Sequence, residues 1–423
     1  MKRGFLNSKK GKAAIASDAP SVSPTQDSSG PGDKEGPSCE TSAFANTRKD
    51  HILASSDAPL STIEESPADR LDFDAKSLVF TTIPTQSEDV AAHTPAERRD
   101  SWTEAIVDGQ TKKAIFSQRG FPQPVRYPTS PCHRIGPAEG SKGQGIFATR
   151  NIKPGELILA ERPLALVPRV LIFGDPASPT AAPDPTVTEA HLEFLSQRLL
   201  VERREALLRL VAQPALENLR PISARLTVNV FPINGYRFGE MEGSQGRYVA
   251  AYENISRINH DCRPNAHYAF HRPSFSARLR ALRHIKAGEE ILISYVPPEA
   301  PRSQRQEGLS QYGFTCTCVT CEEGEEADKR RAGITQPIDE EDSKRTKQQE
   351  FDRISRQIAM LENEGLAGVS VYMNNILYGI RLAAGVGEWD KCGSYNEKMA
   401  AMMPLSTDEM GDEAAEQLAF LGL

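Results

Sequence analysis

No run of eighteen apolar residues occurs in this sequence, so no membrane-spanning helix is expected. The basic start, Met1-Lys2-Arg3 to Lys9-Lys10, leads into no apolar stretch and is not a secretory signal. Positive charge is not in excess: 50 Lys and Arg stand against 57 Asp and Glu, a net charge of −7, so charge alone makes it no nucleic-acid binder. That acidity is read as a solvated surface, or as a surface that favours a basic peptide. Apolar residues make up 39%, under the usual figure of about 45–50%, which implies a large polar fraction outside the core. Cysteines are few, odd in number and clustered, which fits reduced thiols and metal binding better than disulfides. A nuclear or cytoplasmic protein is expected, with Lys9, Lys10 and Lys12 either aiding nuclear import or forming a plain basic tail.

At 423 residues the chain has room for two or three domains. Residues 1–100 are rich in Ser, Pro, Asp, Thr and Ala, and are expected to form a disordered tail that deletion would not disturb. Residues 71–83 are a weak exception with enough apolar content to dock. A short lead-in helix is expected within 101–118, in a lead-in segment of 101–130. Strand pairs around Pro-Gly turns follow, with a loop at 173–187 and a helical stretch capped by Thr188. His191 in that stretch reads as a surface or packing residue. Residues 226–231 read as strand or turn, and Ala277-Arg278-Leu279-Arg280-Ala281 as a half-buried strand. A charged, exposed linker is expected over 323–348, then a helical extension over 349–423. In that extension Phe351, Ile354, Ile358 and Leu361 share one face and Gly365 is the stop; three further helices are expected at 371–384, 390–403 and 408–421.

The densest chemistry lies between Arg257 and Cys321. It opens on Asn259-His260-Asp261-Cys262-Arg263-Pro264-Asn265, continues through Glu289-Glu290-Ile291-Leu292-Ile293-Ser294-Tyr295, and closes on Phe314-Thr315-Cys316-Thr317-Cys318-Val319-Thr320-Cys321. Four thiolates, from Cys262, Cys316, Cys318 and Cys321, would close a tetrahedral zinc site with no place for water, which is a structural site. Cys39, Cys132 and Cys392 have no partner at chelating spacing. No basic helix adjoins the cluster, which argues against a zinc-finger DNA binder.

These motifs, with Lys142-Gly143-Gln144-Gly145 upstream, resemble the SET-domain protein lysine methyltransferases with a post-SET segment. The resemblance covers residues 131–322 and is nearest the SET-and-MYND-like branch and its fungal relatives, without the MYND module. It implies an α+β fold of small sheets with an inserted helix, a zinc-stapled post-SET segment and a C-terminal helical extension. It implies methyl transfer from S-adenosylmethionine to a lysine of a protein substrate, a histone or another protein, with structural Zn2+ and no nucleic-acid or membrane partner.

Carried over residue by residue, the resemblance implies that Lys142, Gly143, Gln144, Gly145, Asn229, Asn259, His260, Tyr295 and Phe314 bind the cofactor. Tyr295 is the catalytic residue it implies, at the methyl-transfer channel. Two positions depart from the pattern: Asp261 stands where Ser is common, and Ser294 where Asp is common. A silent SET fold serving as a zinc-stapled interaction module is the rival from another class.

Overall fold

Short runs of β-branched and aliphatic residues, each stopped by glycine, proline or a polar turn, build three separate sheets. The computed structural model describes residues 51–52, 62–67, 70, 74–85, 102–140, 142–174, 184–237, 247–335 and 345–410. Strands are numbered in chain order. The largest sheet has seven strands, in the spatial order β1 (His51–Ile52), β2 (Thr62–Glu65), β3 (Leu78–Ile83), β4 (Thr103–Asp108), β8 (Ala165–Pro168), β10 (Arg247–Ala251) and β9 (Val230–Arg237). A four-stranded sheet runs β11 (Asn259–His260), β14 (Glu290–Ile293), β6 (Gln144–Ala148), β5 (His133–Pro137). A three-stranded sheet runs β12 (Ala266–His271), β13 (Ser276–Ala281), β7 (Leu157–Glu161).

The expected disordered tail is corrected here. β3 pairs with β4 along its whole length, and β4 joins β8 in parallel, so residues before 101 extend the large sheet. Ile63, Leu78, Val79, Phe80 and Ile83 are fully buried in the same core as Ile146 and Leu166. Most of residues 1–61 lie outside the described residues. The lead-in is half strand: β4 ends at Asp108, which caps the helix Gly109–Phe116 by accepting from the Thr111 backbone N–H at 2.6 Å. The same carboxylate accepts from the Tyr248 hydroxyl at 2.7 Å, tying this segment to β10.

Between β8 and β9 lies the helical insert. Asp184, not Thr188, caps its helix Pro185–Gln197, with proline in the first turn as the fixed φ favours. His191 is buried, bonded to the Val187 carbonyl and stacked on Phe80. Arg198 joins the insert to the N-terminal strands through Glu104 at 2.7 Å and Glu65 at 2.8 Å. The helix Pro221–Asn229 runs directly into β9, so the expected strand or turn at 226–231 is mostly helix. β13 is buried on both faces, Arg278 included, because β12 and β7 flank it and other layers cover it.

The expected exposed linker is also corrected. Residues 325–334 form the helix Glu325–Ile334, and residues 336–344 lie outside the described residues. Arg331 on that helix is buried, bonding the Glu364 carboxylate at 3.1 Å, the Glu364 carbonyl at 2.9 Å, the Cys262 carbonyl at 3.1 Å and Thr320 at 3.1 Å. A dense run of charge reads as solvated, but here one guanidinium clamps the cysteine segment to the extension.

The extension comprises the helices Lys347–Asn363, Ser370–Val386 and Trp389–Met410. Phe351, Ile354, Ile358 and Leu361 form its inner face, and Thr346 with Gln349 makes a reciprocal cap at its start. Gly365 stops the first helix at a φ of 70°. The helix Trp389–Met410 runs through the break expected between 403 and 408, and residues 411–421 of the last expected helix lie outside the described residues. The extension is seated closely on the sheets: a Cβ at Gly155 would fall 2.3 Å from the Ala401 carbonyl oxygen, and one at Gly365 2.9 Å from Arg263. No helix among the described residues is long and apolar enough to cross a membrane.

Candidate functional site

The site begins with a short parallel pairing, Asn259 opposite Leu292 and His260 opposite Ile293. It brings the Asn-His box beside the end of β14, where Tyr295 follows two residues on. The chain reaches this box through a 3-10 turn, Ile255–Arg257, whose entry is held by buried Glu161, accepting from the backbone N–H groups of Asn254 and Ile255. Asn265, at the end of the box, holds β14 in register. Its amide donates to the Glu290 carbonyl at 2.8 Å and its oxygen accepts from Leu292 N–H at 2.8 Å.

One group of the sequence candidates meets at Glu290, which the sequence reading passed over. Asn259 Nδ2 donates to Glu290 Oε1 at 2.7 Å and to the Gln144 carbonyl at 3.2 Å, and Lys142 Nζ lies 3.7 Å from Glu290 Oε2. Gly145 admits this approach: a Cβ there would sit 2.5 Å from Glu290 Oε1 and 3.0 Å from Asn259 Nδ2. Gly143 takes a φ of 77°, which turns the chain into β6. Asn229 is at the last turn of its helix, its Nδ2 donating to the Val211 and Arg225 carbonyls at 2.6 Å each. That half of its side chain serves the helical insert.

The amide oxygens of Asn259 and Asn229 are both buried without a hydrogen-bond partner among the described residues. A buried acceptor left alone costs about 1–3 kcal/mol, so each calls for a donor from a bound molecule or water. The amino groups of S-adenosylmethionine are donors of this kind.

His260, Tyr295 and Phe314 form the second group. Burial holds the His260 imidazole down to about 3, so it is neutral at physiological pH. Its Nδ1 accepts from the Tyr295 backbone N–H at 3.1 Å, which assigns the proton to Nε2, 3.3 Å from Cys262 Sγ. The ring therefore ties Tyr295 to the cysteine cluster. Phe314 lies 6.1 Å from His260 between ring centroids. Asp261 faces back onto the chain, accepting from Arg263 N–H at 2.7 Å, and burial first, then Cys318, pushes its carboxyl up to about 6.

The sulfur atoms of Cys262, Cys316, Cys318 and Cys321 all lie within 4.8 Å of one another. Cys262 is 3.6 Å from Cys321 and 4.0 Å from Cys316, far beyond a disulfide bond. Tetrahedral bonds of about 2.3 Å to zinc require sulfurs about 3.8 Å apart, and these separations bracket that value. Hydrogen bonds from neighbouring thiols hold Cys318 down to about 5 and Cys321 lower still, while the same bonds hold Cys262 high. The donor set fits a structural zinc ion. Buried Arg305 offsets the negative charge, with Nη2 3.7 Å from Cys321 Sγ. Replacing Cys318 with Ser is expected to drop zinc content well below one per chain and to weaken S-adenosylmethionine binding through Phe314. Native mass spectrometry showing unchanged metal would overturn the zinc assignment.

Tyr295 also borders a cleft of about 600 Å3 between the sheets and the extension. Its hydroxyl donates to the Ile258 carbonyl, next to Asn259. Around its ring stand Tyr312 at 4.9 Å and Phe231 at 6.2 Å between centroids. Tyr268 adds a third wall, donating to the Pro232 carbonyl at 3.3 Å and meeting the Tyr252 hydroxyl at 2.9 Å. Burial pushes both of those phenols up, so they stay neutral donors. Nothing in the sequence singles out these aromatics as lining a site. Each reads alone as core, and the only local signal is their density near the motifs.

Residues 143–296 match the family described as the SET domain. The chain is similar to histone-lysine N-methyltransferase set5 of Schizosaccharomyces pombe, 30% identical over 182 residues, 43% of this chain and 48% of that protein. It is similar to histone-lysine N-methyltransferase ATXR4 of Arabidopsis thaliana, 37% identical over 113 residues, 24% of this chain and 34% of that one. With histone-lysine N-methyltransferase SMYD1 of Homo sapiens the figures are 32% over 105 residues, 22% and 21%. The chain spans less than half the length of these relatives. Strands β1 to β5 and the helical extension lie outside the family match.

Proposed function

We propose that this chain, whose residues 143–296 match the SET-domain family, transfers a methyl group from S-adenosylmethionine to a lysine side chain of a protein. The observation that carries the reading is the position of Tyr295. Its hydroxyl and backbone are bonded to Ile258 and His260, beside the Asn259 cluster, while its ring borders the aromatic cleft. One residue thus adjoins the Asn259–Glu290 cluster and a cleft whose valine, proline and aromatic walls suit a lysine stem.

Bound S-adenosylmethionine would supply a sulfonium methyl group. Lys142, Gly143, Gln144, Gly145, Asn229, Asn259 and Phe314 would hold it, the two asparagine oxygens accepting from its amino groups. His260, its ring already committed, would contribute its backbone and hold Tyr295 in place. The zinc held by Cys262, Cys316, Cys318 and Cys321 would pin Phe314 at the pocket. Removal of the incoming amine from water disfavours its ammonium form and lowers its pKa. Tyr295 would orient that amine, since transfer needs the partners aligned at about 3–3.5 Å.

The names of the relatives quoted above make a histone one candidate substrate, and with it a nuclear place of action. Titration calorimetry with S-adenosylmethionine, beside transfer of a labelled methyl group into a fractionated lysate, tests the reading. Asn259→Ala is expected to weaken cofactor binding about tenfold, or about 1.4 kcal/mol. A wild-type protein that binds no S-adenosylmethionine, or an Asn259→Ala protein that binds it as tightly as wild type, refutes the assignment.

A further inference from the structure

The cleft beside Tyr295 says more about its substrate than that it carries a lysine. Among its described lining residues Glu299 is the single carboxylate, and no lysine or arginine is present. Its walls are valine, proline and aromatic side chains: Val230 and Pro232 on one side, Val296 and Pro298 on another, Val369 from the extension. One cation, Arg169, lies within electrostatic reach of Tyr312. The Arg169 guanidinium lies over the Phe173 ring at 4.6 Å and interacts with Tyr312 and with Arg247. Tyr248 pairs with Pro168, so Arg247, which opens β10, lies near Arg169, which follows β8 and opens the helix Arg169–Phe173. The protein is acidic as a whole, at −7, but that acidity is not concentrated in the cleft.

From this apolar lining, with one carboxylate and no cation, we propose that the cleft takes a lysine set in an apolar, non-basic segment rather than in an arginine- and lysine-rich tail, so that a histone would fit only through a lysine outside such a tail. The inference rests on the methyltransferase reading for the identity of the site and deepens it by naming the flanking chemistry. A basic flank would meet a single carboxylate, Glu299, among the described lining residues, and the Arg169 guanidinium on the Tyr312 side. Like charges brought together count against a partner, and an apolar flank fills the valine and proline walls with no such cost. The two flank types also differ in salt response, because screening weakens charge attraction and leaves apolar burial nearly unchanged.

Binding of two short dye-labelled peptides to the full chain, read by fluorescence anisotropy at low and at physiological salt, tests this. Each carries one central lysine, flanked in one by Val, Leu and Pro and in the other by Arg and Gly. The apolar-flanked peptide is expected to bind about tenfold tighter, with little change on adding salt. In Val369→Asp the gap is expected to narrow to about twofold. This substitution suits the fold, since Val369 precedes the helix Ser370–Val386 without a side-chain cap and aspartate caps well. A basic peptide that binds as tightly or more so, or no binding of either, overturns the inference. Because binding is read without methyl transfer, a protein that binds in the expected order yet transfers no methyl sinks the enzymatic reading instead.

Discussion

Removing residues 1–100 is expected to leave no stably folded domain. The truncation takes away β2 and β3, and with them Ile63, Leu78, Val79, Phe80 and Ile83, all fully buried. At about 1.5–3 kcal/mol for each buried side chain, the loss is about 7–15 kcal/mol, the size of a typical domain's whole stability. Polar anchors go as well: Arg198 loses Glu65, and buried Lys112 loses Ser66, which its ammonium contacts at 2.9 Å. β4 is left as the edge of the large sheet with its hydrogen-bonding groups exposed. Soluble yield and a circular-dichroism melt of the 101–423 fragment measure this. A fragment melting within a few degrees of the full chain would show the N-terminal strands to be an ornament. Phe80→Ala is the milder version, expected to cost about 3–5 kcal/mol in a urea titration, since Phe80 packs edge-on to Phe194 at 4.8 Å and under His191.

That segment shows where sequence reading runs out. Leu78-Val79-Phe80-Thr81-Thr82-Ile83 is a clear strand by composition, but it is six residues inside a hundred rich in Ser, Ala, Asp, Pro and Thr. Its partners, β4 and through it β8, lie further along the chain, so nothing local announces that it is covered on both sides. The cysteine cluster was legible because three of its ligands share one short spacing and the fourth sits in a recognisable box. Its second layer was not: Arg305 and Arg331 look like ordinary surface charge until Cys321 and Glu364 are seen beside them. Glu290 was hidden in the same way, as a polar residue opening a strand. At Asn229 the helix passes into β9 with no turn residue between, and β-branched Thr227, Val228 and Val230 gave the segment a strand-like look. Phe231, Tyr268 and Tyr312 span some eighty positions, and only folding brings them to the cleft beside Tyr295.

Tyr295→Phe is expected to lower methyl transfer about a hundredfold while S-adenosylmethionine affinity stays within a few-fold of wild type. The substitution keeps the ring and its contacts with Tyr312, Phe231 and His260. It removes one hydrogen bond, to the Ile258 carbonyl, and a typical bond of that kind contributes about 1 kcal/mol to stability. The protein should therefore fold, and the Asn259–Glu290–Lys142 cluster, which does not include the hydroxyl, should keep its geometry. The missing group matters at the cleft, where a phenol anchored at Ile258 still has a lone pair to orient an incoming amine. A hundredfold loss corresponds to about 2.7 kcal/mol of barrier, a reasonable size for one positioned hydroxyl. Asn259→Ala gives the opposite pattern, losing cofactor affinity, because its interactions are made before transfer begins. Calorimetry and a methyl-transfer assay on the same two variants separate these outcomes. Transfer at the wild-type rate by Tyr295→Phe would remove the tyrosine from the chemistry. Cofactor binding without any transfer by the wild type would leave a zinc-stapled SET fold that acts by interaction alone.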